Sequence, residues 1–126
     1  MEGKTLINET VFADIAMEAM RKVEEVFRKD KKGALSGITK LFADRFAPQI
    51  NAKKTEMADM EEDLTGSVAF EVKLTVVYGV KIPEVAQKVR EKIISEVEDL
   101  TGYKVDKVDI VIDRIVMPEQ AQEENN

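Results

Sequence analysis

The chain has 126 residues, of which 44% are hydrophobic and 35% charged, so it holds enough apolar material for one domain with one core. It contains neither cysteine nor histidine, which excludes disulfides, thiolate chemistry and the side chain best suited to proton transfer near neutral pH. A net charge of −6, with no long apolar run and no apolar leader, predicts a soluble intracellular protein whose surface is not dominated by nucleic-acid-binding bases.

The N-terminal half predicts one long amphipathic helix. Residues 3–7 form a strand candidate, and Asn8 is suited to cap the helix that follows. Apolar residues then recur at spacings of three and four, and Gly33 is suited to end the helix. Residues 35–46 are a weaker amphipathic segment, for which we predict a short helix, and residues 49–57 are predicted to form a modest strand.

The clearest strand of the sequence comes next. Residues 67–80 alternate between apolar and mixed side chains, as a strand with one covered face requires. Gly79 and Pro83 mark a corner, after which an apolar stripe predicts a helix over residues 82–101. Gly102 is suited to end this helix.

Residues 103–117 return as a strand. Val105 is out of phase with Val108, which predicts a bulge near Asp106 and Lys107. The alternation places two sets of residues on opposite faces: Val108, Ile110, Ile112 and Val116 on one, and Asp109, Val111, Asp113 and Ile115 on the other.

This order of elements predicts an α+β fold, a two-layer α/β sandwich in which two main helices cover one face of a small sheet of three to four strands. Residues 1–117 are predicted to form the single domain, and residues 118–126 a disordered polar tail. The sequence leaves open whether the last two long strands run parallel or antiparallel.

The sheet face without helices is the predicted interaction surface. β-Branched residues on that face would be exposed in a monomer and would favour a partner. The predicted interface residues are Lys73, Val77, Val111, Asp113 and Ile115.

Two patterns resemble ligand sites but fit them poorly. The stretch YGVKIPEVAQ has one glycine where a phosphate-binding turn needs more, and Pro83 removes a backbone donor, so we predict a plain corner. Glu61, Glu62 and Asp63 lack the spacing of a calcium loop and are predicted to be solvated. No histidine is present to activate a serine, so we predict no catalytic residues and a protein that is not an enzyme. We also predict no cofactor-binding and no metal-binding residues.

A basic segment supports an alternative function. Between Arg21 and Lys54 there are ten bases and four acids, and the loop GALSG is one residue longer than the G-x-x-G loop of KH domains. The alternative is a small KH-like RNA-binding module that uses residues 28–45, although the negative net charge argues against nucleic acid as the main partner. Its candidate contacts are Lys29, Lys31, Lys32 and Lys40.

Four motifs carry a family resemblance. G-x-T-x-I and V-x-x-x-I-A stand in residues 3–16, V-x-L-x-V-x-Y-G-x-x-I-P-E-V-A-x-x-V-R-x-x-I-x-x-x-V-E-x-L-T-G in residues 72–102, and V-x-x-V-D-I-x-I in residues 105–112. They resemble the alkaline shock protein twenty-three family, also called the Gls general-stress family, of Gram-positive bacteria. The chain departs from the family over residues 28–63, where a long charged connection and an extra amphipathic piece replace the family's common glycine–valine pair.

The resemblance implies a cytoplasmic, non-enzymatic protein linked to cell-envelope stress or homeostasis. It implies self-association into a homo-oligomer and attachment to the membrane through a separate anchor protein. It implies no cofactor and no small-molecule substrate, because no catalytic residue of the family maps onto this sequence.

Overall fold

The structure, a computed structural model, describes residues 3, 5–30, 41–43, 46–56 and 66–118, with the side chains of 28–30 excepted. Within these residues there are two helices and three strands. In chain order they are α1 (Glu9–Asp30), β1 (Gln49–Glu56), β2 (Gly66–Val77), α2 (Ile82–Thr101) and β3 (Lys104–Val116). The acidic triplet in residues 61–63 and the predicted tail beyond Pro118 lie outside the described residues.

The three strands form one mixed sheet in the order β1-β2-β3. β1 is antiparallel to β2, and β3 is parallel to β2. The question left open by the sequence is therefore answered: α2 is a crossover connection between two parallel strands. Two helices and a three-stranded sheet confirm the predicted α+β sandwich.

The start of α1 and both ends of α2 follow the predicted residues, whereas Gly33, predicted to end α1, lies outside the described residues. Asn8 accepts a hydrogen bond through Oδ1 from the backbone N–H of Thr10, at 3.3 Å, and so caps α1. Pro83 stands in the first turn of α2, where its missing N–H costs nothing. Gly102 ends α2 in the left-handed region, with φ of 80°, and donates its N–H to Glu98 O at 3.0 Å.

The core lies between the helices and one face of β2. Every second residue of β2 from Val68 to Val76 is buried, and α2 covers these side chains with the stripe from Val85 to Val97. Phe12 of α1 is fully buried and meets the ring of Tyr103 edge-on, with centroids 5.0 Å apart. The apolar alternation of β2 and the 3.6-residue stripes of the helices therefore face one another.

Two predicted elements do not form in their described residues, and residues 35–40 of the predicted short helix lie outside those residues. Residues 5–8 form no strand, and residues 41–43 are not helical. Instead, Phe42 forms an antiparallel bridge with Val76 on the edge of β2, and Leu41 O accepts a hydrogen bond from Val77 N at 3.1 Å. We call residues 41–43 and 46 the strap. Their apolar side chains pack on the sheet directly, so the amphipathic pattern did not require a helix here.

One carboxylate of α1 holds the strap. Glu24 Oε2 accepts hydrogen bonds from the backbone N–H groups of Leu41, at 2.6 Å, and Phe42, at 3.1 Å. Charge-assisted bonds of this kind are stronger than neutral ones. They satisfy two donors on a backbone whose side chains are buried.

β3 contains two places where an extra residue interrupts its register with β2. Asp106 is the extra residue at the first, which confirms the predicted bulge, and Asp113 is the extra residue at the second, which the sequence did not predict. Beyond Asp113, Ile115 becomes the partner of Val76 on the helix side of the sheet. After the second bulge, each residue of β3 therefore faces the side of the sheet opposite to the one that regular alternation predicts.

Replacing Glu24 with alanine should lower the free energy of unfolding by about 1–2 kcal/mol, because two buried N–H groups lose their charged acceptor. Glu25→Ala is the matched control, since Glu25 is the exposed neighbour on the same helix. Urea unfolding followed by circular dichroism measures both variants. An equal loss in the two variants would show that the carboxylate of Glu24 does not hold the strap.

Candidate interaction surface

The sheet face opposite the helices, which we call the far face, is covered mainly by charged and polar side chains. Register partners on neighbouring strands share a face, so its rows follow from the pairing of the strands. Three adjacent rows are Gln49–Lys73–Val111, Asn51–Glu71–Asp109 and Lys53–Ala69–Lys107. Bases and acids alternate from row to row, and Lys107 contacts Asp109 at 3.5 Å. The middle of this face therefore offers little apolar area to a partner.

The structure brings two of the predicted interface residues together. Lys73 and Val111 are register partners on the far face, and both are exposed. Asp113 is exposed and lies in the second bulge of β3.

Two other predicted interface residues need correction. Val77 was expected to be exposed, but it is 1% exposed because Ala43 of the strap and Val116 pack against it. Ile115 was expected on the far face, but the extra residue Asp113 moves it to the helix side, where it is 48% exposed. Both errors come from features that leave no phase change in the alternation: a contact with a distant segment and a second bulge.

The outer edge of β3 is capped by α2 over only part of its length. Glu98 Oε2 accepts a hydrogen bond from Val105 N at 3.0 Å, and Arg90 Nε donates one to Val108 O at 3.1 Å. Such contacts protect an edge strand from pairing with another chain. Within the described residues, no side-chain hydrogen bond reaches the backbone of β3 beyond Val108.

The uncapped half of β3, together with the residue that follows it, carries exposed apolar side chains. Val111 is 38% exposed, Ile115 48% and Met117 44%; we call these three residues the β3 edge patch. Tyr78 adds a fourth exposed side chain at the same end of the sheet, since its N–H donates to Val116 O at 2.7 Å. Tyr78 and Met117 were not among the predicted interface residues: both were predicted to lie inside the strands 67–80 and 103–117, whereas β2 ends at Val77 and β3 at Val116.

The candidate RNA contacts fall outside the part of the chain that the structure describes: the side chain of Lys29 and residues Lys31, Lys32 and Lys40 are not described. One base that is described, Arg114, has its guanidinium 4.5 Å from the ring centroid of Phe46. Among described residues there is no group of three or more acidic, histidine or cysteine side chains that could hold a metal ion. Neither α1 nor α2, as far as each is described, has the length and hydropathy to cross a bilayer.

A polar cluster closes the opposite corner of the sheet. Lys54 Nζ donates hydrogen bonds to Ile7 O, at 2.6 Å, and to Glu56 Oε2, at 2.8 Å. The backbone N–H of Lys54 donates to Glu9 Oε2 at 2.9 Å, so α1 caps the outer edge of β1. The hydroxyl of Tyr103 donates to Glu56 Oε2 at 3.3 Å. No sequence pattern had linked these residues, which come from three separate segments.

Charge and burial in this cluster change two pKa values. The hydrogen bond to Glu56 raises the pKa of Lys54 above its ordinary value. Burial raises the pKa of Tyr103, and the negative charge of Glu56 raises it further. Tyr103 is therefore neutral and Lys54 charged in the folded protein at neutral pH.

The comparison with protein families agrees with the motifs and the fold. A model of the alkaline shock protein 23 family, described as having a cell envelope-related function, matches residues 1–117. The chain belongs to this family. Membership confirms the resemblance carried by the motifs, and a cell envelope-related function is the functional description of the family as a whole.

A solved structure is similar in fold. It is the crystal structure of an organic hydroperoxide resistance protein OsmC, predicted redox protein, regulator of sulfide bond formation, from Legionella pneumophila. The TM-score is 0.52 at 18% sequence identity, and the match covers 88% of this chain and 73% of that chain. At this identity the likeness concerns the fold alone.

Alkaline pH should destabilise the protein through the polar cluster. Above about pH 10, the ordinary pKa of tyrosine, the unfolded chain releases the phenolic proton that folded Tyr103 keeps, so the free energy of unfolding falls as pH rises. Lys54, whose pKa is also raised, acts in the same direction above about pH 10.5.

The variant Tyr103→Phe removes one of these two contributions, so its stability should fall less than that of the wild type between about pH 9 and about pH 11. Tyr78→Phe, at an exposed tyrosine, is the control and should follow the wild type. Urea unfolding at each pH measures the effect. Parallel declines in wild type and Tyr103→Phe would contradict this explanation.

Proposed function

We propose that the protein is a non-enzymatic, self-associating cytoplasmic protein that acts in cell-envelope stress or homeostasis through protein–protein contacts. The observation that carries the proposal is the uncapped, apolar half of β3, with the β3 edge patch on it. Membership in a family with a cell envelope-related function supports the biological setting.

The β3 edge patch supports self-association for two physical reasons. An edge strand presents unpaired backbone N–H and C=O groups, which pair readily with a strand of another molecule. Exposure of apolar side chains beside such an edge to water is unfavourable, and their burial under a partner lowers the free energy. Ile115 lies near the end of the strand and Met117 follows directly after it, so both exposed side chains stand at the same end of this edge.

The chemistry of the side chains supports a role without catalysis. The 126 residues include no histidine and no cysteine, so the commonest proton-transfer group and any thiol chemistry are missing. The redox role named for the OsmC protein is for this reason not transferred to this chain, since sulfide bond formation needs a thiol.

The link to the envelope is proposed to be a separate membrane-anchored protein. A protein–protein contact of this kind needs an exposed surface on a rigid element, and β3 meets that need because it pairs with the central strand along eleven positions. The self-association and the anchor contact are separate parts of the proposal.

The replacement Ile115→Asp should shift the protein toward the monomer, with a dissociation constant increased by about tenfold or more, because a charge then enters an apolar contact. Val111→Asp tests the same strand on its other side. Val11→Asp is the matched control: Val11 is 41% exposed, and an acidic residue suits the first turn of α1.

Size-exclusion chromatography with light scattering measures the molar mass of each protein over a concentration series. A wild-type protein that stays monomeric at the highest concentration it tolerates would overturn self-association. If Ile115→Asp associates as strongly as Val11→Asp, the contact between copies does not involve this part of β3.

A further inference from the structure

We infer that two copies of the protein join through their β3 strands, paired antiparallel about a two-fold axis at Ile110. The inference rests on the proposed self-association and specifies its interface. With the axis at Ile110, each residue of β3 faces the residue of the second copy that is equally far from Ile110 on the other side. Lys107 then faces Asp113 of the second copy, and Asp106 faces Arg114 of the second copy. Opposite charges therefore meet at four places in the symmetric pair.

The apolar residues of β3 are self-complementary in the same register. Val108 faces Ile112 of the second copy, Val105 faces Ile115 of the second copy, and Ile110 faces its own symmetry mate. All of them lie on the helix side of the sheet, where Val105, Ile110 and Ile112 are half-buried and Ile115 is exposed. Cross-strand pairs of β-branched residues stabilise a sheet, and the pairing would cover the remaining exposed area of these side chains.

Neighbouring registers do not match. With the axis at Val111, Asp109 would face Asp113 of the second copy, which brings like charges together. With the axis at Asp109, Lys107 would face Val111 of the second copy, and Asp106 would face Ile112, so the charges have no partners. A two-fold pairing must also place residues of the same face opposite each other. The axis at Val111 fails this condition too, because it places Lys107 of the far face opposite Ile115 of the helix side.

The backbone of β3 is oriented for this pairing. Because Arg90 reaches Val108 O from α2, that carbonyl points to the outer edge of the sheet. Backbone groups of alternate residues in a strand point to the same edge, so Ile110 and Ile112 also present their N–H and C=O groups there. A carbonyl oxygen has two lone pairs, so Val108 O can accept from Arg90 and from a partner strand together. The N–H of Val105 already donates to Glu98, so the backbone pairing runs between Val108 and Ile112, and Val105 meets Ile115 of the second copy through its side chain.

The two bulges also fit the symmetry. Asp106 and Asp113 are the extra residues of β3 relative to β2, and they stand on either side of Ile110. In the paired strands, each end of the contact contains one bulge from each copy. At each end of the contact, both strands therefore contain one extra residue, so the register between the two copies is kept.

A single cysteine tests the axis, because the natural chain contains none. Paired residues on a two-fold axis of this kind have Cα atoms about 5.5 Å apart, within the range of about 4.4–6.8 Å that a disulfide needs. The variant Ile110→Cys should form a covalent dimer under mild oxidation. Ile50→Cys is the matched control: Ile50 and Ile110 flank the same residue, Val72, are both half-buried, and lie on opposite edges of the sheet.

Oxidised dimers of Ile110→Cys without dimers of Ile50→Cys would support the inference. Dimers of Ile50→Cys alone would overturn it in favour of a β1 contact. If light scattering shows that the wild type associates while neither variant forms a covalent dimer, the β3 register is wrong and self-association stands. A monomeric wild type would overturn both.

A charge exchange supplies a second test that does not depend on thiol access. Lys107→Asp places two acidic residues opposite each other at both symmetric positions and should weaken dimerisation by about tenfold. Adding Asp113→Lys to that variant should restore the wild-type dissociation constant. Adding Asp109→Lys instead should not, although Asp109 is the residue that Lys107 contacts within its own chain.

Rescue by Asp113→Lys alone supports the register, since those two residues meet only across the two copies. Rescue by Asp109→Lys alone, or equal rescue by both, would show that Lys107 acts within one chain and would overturn the inference. An unchanged dissociation constant in Lys107→Asp would overturn it as well.

Discussion

Burial of one face of β2 is the constraint on which the rest of the structure depends. β2 is the central strand, so both of its edges are paired, and its apolar side chains from Val68 to Val76 are almost completely removed from water. Each such side chain contributes about 1.5–3 kcal/mol when fully buried. Both helices and the strap are positioned by this one apolar face, because each supplies a stripe that covers part of it.

Charged side chains of the helices then bind backbone groups at the edges of the sheet and in the strap. Glu9 caps the outer edge of β1, Glu98 and Arg90 cap the first half of β3, and Glu24 holds the strap. In each case a side chain from a helix satisfies a backbone group that the sheet leaves unpaired. The helices thus cover the core and also determine which part of the sheet edge is open. The open part carries the proposed function, and Ile110, the axis of the inferred dimer, lies at its start.

Features that appear in the spacing of apolar residues were predictable from the sequence, and features that leave no mark in that spacing were not. The alternation of β2, the stripe of α2 and the phase change at Asp106 all appeared in the sequence as they do in the structure. The strap was predicted as part of a helix, and this prediction failed. An apolar stripe over so few residues fits a helix and a bridge on a sheet edge equally well. The parallel order of β3 depends on how α2 crosses the sheet, which no local pattern records. The burial of Val77 depends on contact with Ala43, far away in the sequence.

The bulge at Asp113 makes the amphipathicity of the C-terminal residues of β3 a matter of register as well as composition. A regular strand with the same residues and no bulge would place Ile115 on the far face and turn Val116 toward the helix side, with no apolar residue changed. A relative that keeps these amino acids but pairs them without the bulge would therefore present a different surface. Changes that create or remove a bulge, more than changes in apolar content, are the changes by which this strand can exchange one binding preference for another.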